Sequence, residues 1–192
     1  VFKKMPFSVL NNAIDSDQYV FSEESRKKIR KEFHLEGKFV IGNVGGLRPP
    51  KNQSFLIDIF AKVRQKNGNA VLMIVGSGSL ENALSEKVSR MGLAESVIFT
   101  GSRPDIPAIL SAMDLFVFPS LWEGLGIAAI EAQASGLHVI CSDVLPQEAK
   151  VTDLIEYKSL SDSAGEWANF VLKYAGSYER QNMQRYIVNA KY

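Results

Sequence analysis

The segment SLWEGLGIAAIEAQASG (120–136) combines a glycine turn with two acidic side chains. A helix that begins near Gly126 would present the N–H groups of Gly126 and Ile127, and the positive end of its dipole, to an anion such as phosphate. Glu123, on the loop before that helix, would accept hydrogen bonds from the hydroxyl groups of a ligand. The structural alternative is a capping box between Ser120 and Glu123, which would place two glycines in the first helical turns at a cost of up to about 1 kcal/mol each.

The second acidic residue, Glu131, follows Ile127 by one helical turn and lies next to the apolar face to which Ile130 belongs. A carboxylate in that position is costly unless it is paired. A vicinal diol such as a ribose offers two donors to its two oxygens. The alternative is an ordinary solvated glutamate at the edge of the helix.

Positive charge for a phosphate is available in the loop VGGLRPPKN (44–52). Gly45 and Gly46 allow the backbone to approach a ligand closely, and Arg48 and Lys51 stand at the start of the next helix. The alternative interpretation is a plain Gly-Pro turn with two solvated cations.

A second glycine-rich loop, VGSGS (75–79), resembles a dinucleotide fingerprint but has Glu81 where the third glycine belongs. We interpret it as a tight turn with Ser79 as the helix N-cap. The two histidines, His34 and His138, do not lie at metal-ligand spacing to another histidine, cysteine or carboxylate cluster, so no metal site is predicted.

The elements that must position these loops alternate from Lys38 onward between short β-branched runs and segments of helical period. This pattern predicts an α/β fold, a doubly wound parallel sheet of about six strands, in which ligands bind at the carboxyl ends of the strands. The predicted strands are 39–44, 70–76, 97–101, 114–120, 138–143 and 154–157. The predicted helices are 52–67, 80–92, 106–113 and 127–136, two more after Ser161, and a leading helix in 22–33 capped by Ser22, with Ser25 as the rival cap.

Composition adds limits on partners and location. The 192 residues are 46% hydrophobic and 22% charged, which is typical of one globular domain, and the net charge of +1 gives no general attraction to nucleic acid. The basic run RKKIRK (26–31) is either a solvated helix face or a contact with an anionic membrane or a partner domain. The single cysteine, Cys141, and the lack of a roughly 20-residue apolar stretch favour a cytoplasmic protein, with a peripheral position at the inner membrane face as the option that the basic run leaves open.

Four segments together resemble a known family: NNAID (11–15), VGGLRPPKN (44–52), AVLMIVGSGSL (70–80) and the stretch 97–143 that contains both glutamates. They are similar to the C-terminal, donor-binding half of family 4 glycosyltransferases of the GT-B fold, and most of all to bacterial capsular and exopolysaccharide enzymes. The resemblance implies a Rossmann-like half of a GT-B fold. It also implies retaining, metal-independent transfer of a sugar from a nucleotide diphosphate sugar to a glycan or lipid-linked acceptor, without a cofactor, releasing UDP or GDP.

The resemblance also implies roles for single residues. Glu123 would contact the transferred sugar as the catalytic glutamate, Glu131 the ribose, and Arg103 the base. The residues implied for the diphosphate are Lys51, Arg48, Gly45, Gly46, Gly126 and Ile127. The family commonly has arginine where this chain has Gly46. Either Arg48 substitutes for that arginine, or the chain binds phosphate more weakly.

The expected organisation is a linker and leading helix (1–37) followed by a donor-binding domain (38–192), with the N-terminal, acceptor-binding domain and a final crossover helix absent. Such a chain would bind a donor and would not transfer sugar by itself. Two alternatives stay open, a nucleotide-sugar epimerase of related GT-B fold and a non-catalytic nucleotide-binding module. An NAD-dependent oxidoreductase is disfavoured because the glycine fingerprint is incomplete.

Overall fold

The computed structural model describes residues 14–176 and 178–192, so the first residues of NNAID and a third of the expected linker lie outside the described ranges. Six strands form one parallel sheet in the order β3-β2-β1-β4-β5-β6. The strands are β1 Phe39–Val44, β2 Ala70–Val75, β3 Val97–Phe99, β4 Leu115–Phe118, β5 Val139–Ser142 and β6 Ile155–Lys158.

Helices cover both faces of this sheet. They are α1 Glu23–Glu32, α2 Gln53–Lys66, α3 Glu81–Arg90, α4 Ile106–Ala112, α5 Ile127–Ala134, α6 Ala164–Val171 and α7 Gln184–Asn189, with short 3-10 helices at Pro49–Lys51, Gln147–Ala149 and Leu172–Tyr174. One apolar cluster joins the sheet to α1, α4, α5 and α7, and a second joins it to α2, α3 and α6. The predicted doubly wound α/β class is therefore confirmed.

The strand sequences explain why both faces are covered. In β2 every side chain is buried, and alternate residues point to opposite faces of the sheet. Val71 and Met73 belong to one apolar cluster, whereas Leu72 and Ile74 belong to the other. A strand that is apolar at every position is stable only when helices pack on both sides of it.

The basic run near the start of the chain is divided between inward and outward side chains. Ser22 caps α1 as expected, because its hydroxyl accepts a hydrogen bond from the backbone N–H of Ser25 at 3.1 Å. Arg26 and Arg30 turn inward and pair with Asp114 at 2.6 and 2.5 Å, which fixes α1 beside the start of β4. The lysines of the same run, at 27, 28 and 31, stay exposed.

The turn after β2 corrects one expectation. Ser79 does not cap α3, which begins at Glu81 after Leu80 and has no side-chain cap. Gly78 instead lies against the loop that follows β1, since a Cβ added to it would be 2.4 Å from the carbonyl oxygen of Leu47. The glycines of this turn therefore bring two loops together at the carboxyl edge of the sheet.

We expect Gly78→Ala to lower the free energy of unfolding by about 2 kcal/mol, because the added methyl group meets a backbone carbonyl that cannot move aside. Gly68→Ala is the matched control, since nothing lies within 4 Å of the methyl group it would add. Urea unfolding of the two variants measures the difference. Equal stability of the two variants would contradict the close contact between the loops.

Candidate functional site

The crevice between β1 and β4 is where the chain switches from one side of the sheet to the other. The loop 45–52 follows β1 and the loop 119–126 follows β4, so both lie at the carboxyl edge of the sheet. The Leu121 N–H donates to the Pro50 carbonyl at 2.7 Å and Asn52 Nδ2 donates to the Pro119 carbonyl at 3.1 Å, and these hydrogen bonds hold the loops together. The fold therefore brings the two loops that carry most of the candidate residues into contact.

Lys51 and Glu123 form an ion pair across these loops. Lys51 Nζ lies 2.7 and 2.8 Å from the two carboxylate oxygens, and the Ser120 hydroxyl donates to Oε1 at 2.7 Å. The Glu123 side chain is only 7% exposed, and Lys51 Nζ also lies 5.0 Å from the centre of the Phe118 ring. The sequence did not indicate these partners, and the contact of Glu123 with a ligand stays a prediction.

A cleft of about 380 Å³ opens beside this ion pair, and its walls include Gly46, Arg48 and Trp122. A Cβ added to Gly46 would lie 3.6 Å from Arg48 Nε, so the Arg48 side chain runs past the position where a residue-46 side chain would start. Trp122 stands at the edge of the cleft with 68% of its surface exposed. Two cationic side chains and an exposed indole ring thus border one opening.

Helix α5 begins at Ile127, as the anion-binding interpretation expects, and not at a capping box. Gly126 precedes it in the left-handed conformation at φ 80°, and a Cβ there would lie 2.4 Å from Cδ1 of Leu145. In the parts of the chain that the structure describes, no acceptor bonds the N–H groups of Gly126 and Ile127. These N–H groups carry the positive end of the helix dipole.

Glu131 has a partner that no sequence pattern indicated. The hydroxyl of Tyr19, 112 positions away along the chain, donates a hydrogen bond to Glu131 Oε1 at 2.7 Å. Burial raises the pKa of Glu131, and the hydrogen bond from Tyr19 opposes that rise only in part. The carboxylate is therefore half-buried, as its position beside the apolar face suggested, and one of its oxygens is already bonded.

Arg103, after β3, is held by two acidic side chains. It forms ion pairs with Asp105 and Glu32, both at 2.7 Å, and its guanidinium group lies 5.7 Å from the centre of the Phe33 ring. Hydrogen bonds to the two carboxylates raise the pKa of Arg103, and the bond to Asp105 has a larger effect than the bond to Glu32. The side chain is fixed in place at the edge of the sheet, at a distance along the sheet from the cleft beside Lys51.

A larger cavity, of about 710 Å³, lies at the amino ends of β1 and β4, which is the opposite edge from the one where doubly wound sheets bind ligands.

Within residues 14–176 and 178–192 no three histidine, cysteine or acidic side chains are grouped so that they could hold a metal ion. No helix in these ranges is long and apolar enough to cross a membrane.

A family model described as "Glycosyl transferases group 1" matches residues 24–190. The chain belongs to this family. The chain is 36% identical over 151 residues to an uncharacterized glycosyltransferase of Methanocaldococcus jannaschii, covering 75% of this chain and 37% of that protein. It is 35% identical over 144 residues to an Escherichia coli UDP-Gal:alpha-D-GlcNAc-diphosphoundecaprenol alpha-1,3-galactosyltransferase, covering 73% of this chain and 37% of that enzyme.

Solved structures agree with the family. A crystal structure of Anabaena Alr3699/HepE in complex with UDP-glucose shares 25% identity at a TM-score of 0.78, over 96% of this chain and 51% of that one. The C-terminal domain of a Francisella tularensis group 1 protein, LpcC, shows the same fold over 97% of its chain, at 23% identity and a TM-score of 0.75. The resemblance to GT-B glycosyltransferases is thus confirmed, and this chain spans little more than a third of the length of the curated relatives that it matches.

Proposed function

We propose that this group 1 glycosyl transferase chain is the donor-binding part of a retaining, metal-independent enzyme that moves a sugar from a nucleotide diphosphate sugar to a glycan or lipid-linked acceptor. The observation that carries the proposal is the meeting of the β1 and β4 loops at the switch point of the sheet, with Lys51 against Glu123. Doubly wound sheets bind nucleotides in that crevice.

The diphosphate site is assigned to groups that stabilise negative charge without a metal ion. Lys51 and Arg48 supply two cations beside the cleft, and the N–H groups of Gly126 and Ile127 supply the helix dipole. Gly45 and Gly46 leave the backbone of the first loop open to the phosphates. As the bond to the sugar breaks, charge grows on the leaving diphosphate, and these fixed donors stabilise that charge.

The sugar, the ribose and the base are assigned to three different side chains. Glu123 contacts the transferred sugar once Lys51 turns from the carboxylate to the phosphates. Glu131 accepts hydrogen bonds from the ribose diol, and Arg103 lies on the side of the base. The Arg48 side chain runs past Gly46. This position supports the proposal that Arg48 replaces the arginine that is usual at position 46 in the family.

The comparisons support a sugar nucleotide as the donor. The Escherichia coli relative is named for UDP-Gal and a diphosphoundecaprenol acceptor, and the Anabaena structure contains UDP-glucose. By extension we assign this chain to surface polysaccharide synthesis at the cytoplasmic face of the membrane, with the exposed lysines of α1 available for peripheral contact. The acceptor and an N-terminal domain of the full-length protein are the further proposed partners, and transfer is proposed to need that domain.

Nucleotide binding tests this proposal. We expect UDP or GDP at millimolar concentration to raise the melting temperature of the 192-residue chain by several degrees, because a ligand that binds only the folded state stabilises it. NAD is the control and should give no shift. Stabilisation by NAD and by neither nucleoside diphosphate would contradict the proposal, and sugar transfer by this chain alone would contradict the need for a second domain.

A further inference from the structure

The contact between Tyr19 and Glu131 links the segment before α1 to the helix that bears the proposed ribose carboxylate. The tyrosine hydroxyl lies 2.7 Å from Glu131 Oε1, and its ring packs against the apolar cluster that contains Ile130. No motif in the chain connects these two residues, and the proposed function assigns no role to Tyr19. The inference below rests on that proposed function, because it concerns the same carboxylate.

The turn that carries Tyr19 is held at several points. The backbone N–H groups of Gln18 and Tyr19 donate to the carbonyls of Asp15 and Ser16 at 3.1 and 3.2 Å. The Gln184 side chain at the start of α7 bonds to Asp17. The hydroxyl of Tyr19 is thus placed by backbone bonds, by a contact with α7 and by the packing of its ring.

Bonding to Tyr19 leaves most of the acceptor capacity of Glu131 available. A carboxylate oxygen accepts up to two hydrogen bonds, so Oε1 keeps one site and Oε2 keeps both, since Oε2 accepts none from the residues that the structure describes. A diol needs two acceptor sites on neighbouring oxygens. The hydrogen bond from Tyr19 therefore restricts the rotation of the carboxylate without using the sites that a ribose would need.

We propose that Tyr19 is a positioning residue, which holds the Glu131 carboxylate in the orientation that receives the two ribose hydroxyl groups of the donor. A glutamate side chain has three rotatable bonds, and ordering it on binding costs affinity. A carboxylate already oriented by Tyr19 avoids that cost. The preference for a ribose over a sugar that lacks both hydroxyl groups thus depends on a residue that does not touch the nucleotide.

Affinities for UDP and 2′,3′-dideoxy-UDP, measured by calorimetry on the 192-residue chain, test this role. We expect the wild-type protein to prefer UDP by about 30-fold, and Tyr19→Phe to reduce that preference to about threefold by weakening UDP alone, a tenfold change. Phenylalanine keeps the ring that packs on the core. Tyr192→Phe is the matched control. Tyr192 packs on the same cluster, but its hydroxyl donates a hydrogen bond to the Glu148 carbonyl and not to Glu131.

The outcomes separate this inference from the proposed function. An unchanged preference in Tyr19→Phe, including an equal loss of affinity for both nucleotides, would overturn the positioning role and leave the proposed function standing. A wild-type protein without any preference for UDP would show that Glu131 does not bind ribose, and failure to bind either UDP or GDP would remove the proposed function itself. The positioning role would fall in both of these cases.

Discussion

Replacing Lys51 by methionine is expected to lower the free energy of unfolding by about 2–3 kcal/mol and to weaken nucleoside diphosphate binding by at least about 50-fold. The stability loss arises because the Glu123 carboxylate, 7% exposed, would keep only the Ser120 hydroxyl as a partner among the residues that the structure describes. Methionine keeps a long apolar side chain but lacks the ammonium group that lies 5.0 Å from the centre of the Phe118 ring, so the change isolates the charge. The binding loss arises because the cation assigned to the phosphates is gone.

A double variant separates these two effects. Lys51→Met together with Glu123→Gln removes both charges, so we expect it to recover most of the lost stability while nucleotide affinity stays low. Urea unfolding and calorimetry on the wild type, both single variants and the double variant give the complete cycle. If Lys51→Met were as stable as the wild type, the expected cost of leaving the Glu123 carboxylate without its cation would be contradicted. Recovery of affinity in the double variant would show that Lys51 does not bind phosphate.

The second large effect is expected for Glu131→Gln, which should weaken UDP or GDP binding by about 30-fold and make the protein without nucleotide more stable at pH 7. Burial raises the pKa of Glu131, so the folded protein holds this proton more tightly than the unfolded chain does. The stability that comes with protonation is fully present below the ordinary glutamate pKa and is lost as the pH rises through the raised value. Glutamine is neutral at every pH and does not suffer that loss.

The pH dependence of stability checks the sign of this prediction. The advantage of Glu131→Gln over wild type should be present at pH 7 and should shrink as the pH falls below the raised pKa towards the ordinary value for glutamate. Glu95→Gln is a control at an exposed glutamate, and we expect its stability to equal that of the wild type at pH 7 and at the lower pH. A Glu131→Gln protein that is less stable than wild type at pH 7 would mean that the hydrogen bond from Tyr19 outweighs the cost of burial.

The fold was predictable because its signals are local. Most strands are short apolar runs, and a strand that is apolar at every position, such as β2, indicates a sheet covered on both faces without any long-range information. The start of α5 was predictable for the same reason, since two glycines inside a first turn are costly and Gly126 is suited to the left-handed position before it. The turn after β2 was not predictable, because Gly78 packs against Leu47 in another loop, a contact that no local pattern indicates, and Ser79 does not act as the cap.

It was predictable that the candidate residues of the loops after β1 and β4 would lie close together, but their contacts with one another were not predictable. Glycines, cations and glutamates in the loops after β1 and β4 indicated which residues would meet at the crevice. Which of them neutralise one another depends on distances across the sheet, and the pairing of Lys51 with Glu123 is of this kind. The hydroxyl of Tyr19 on Glu131 is a contact between a turn and a helix far apart in sequence, for which the chain has no periodicity or motif.

A crystal structure of this chain with UDP or GDP would test the placement of the donor most directly. We expect the phosphates at the N–H groups of Gly126 and Ile127, Lys51 Nζ on a phosphate oxygen, and the ribose hydroxyl groups within hydrogen-bonding distance of Glu131. A nucleotide bound at the amino edge of the sheet, or one at the crevice with its ribose away from Glu131 and its phosphates away from α5, would contradict the proposed site.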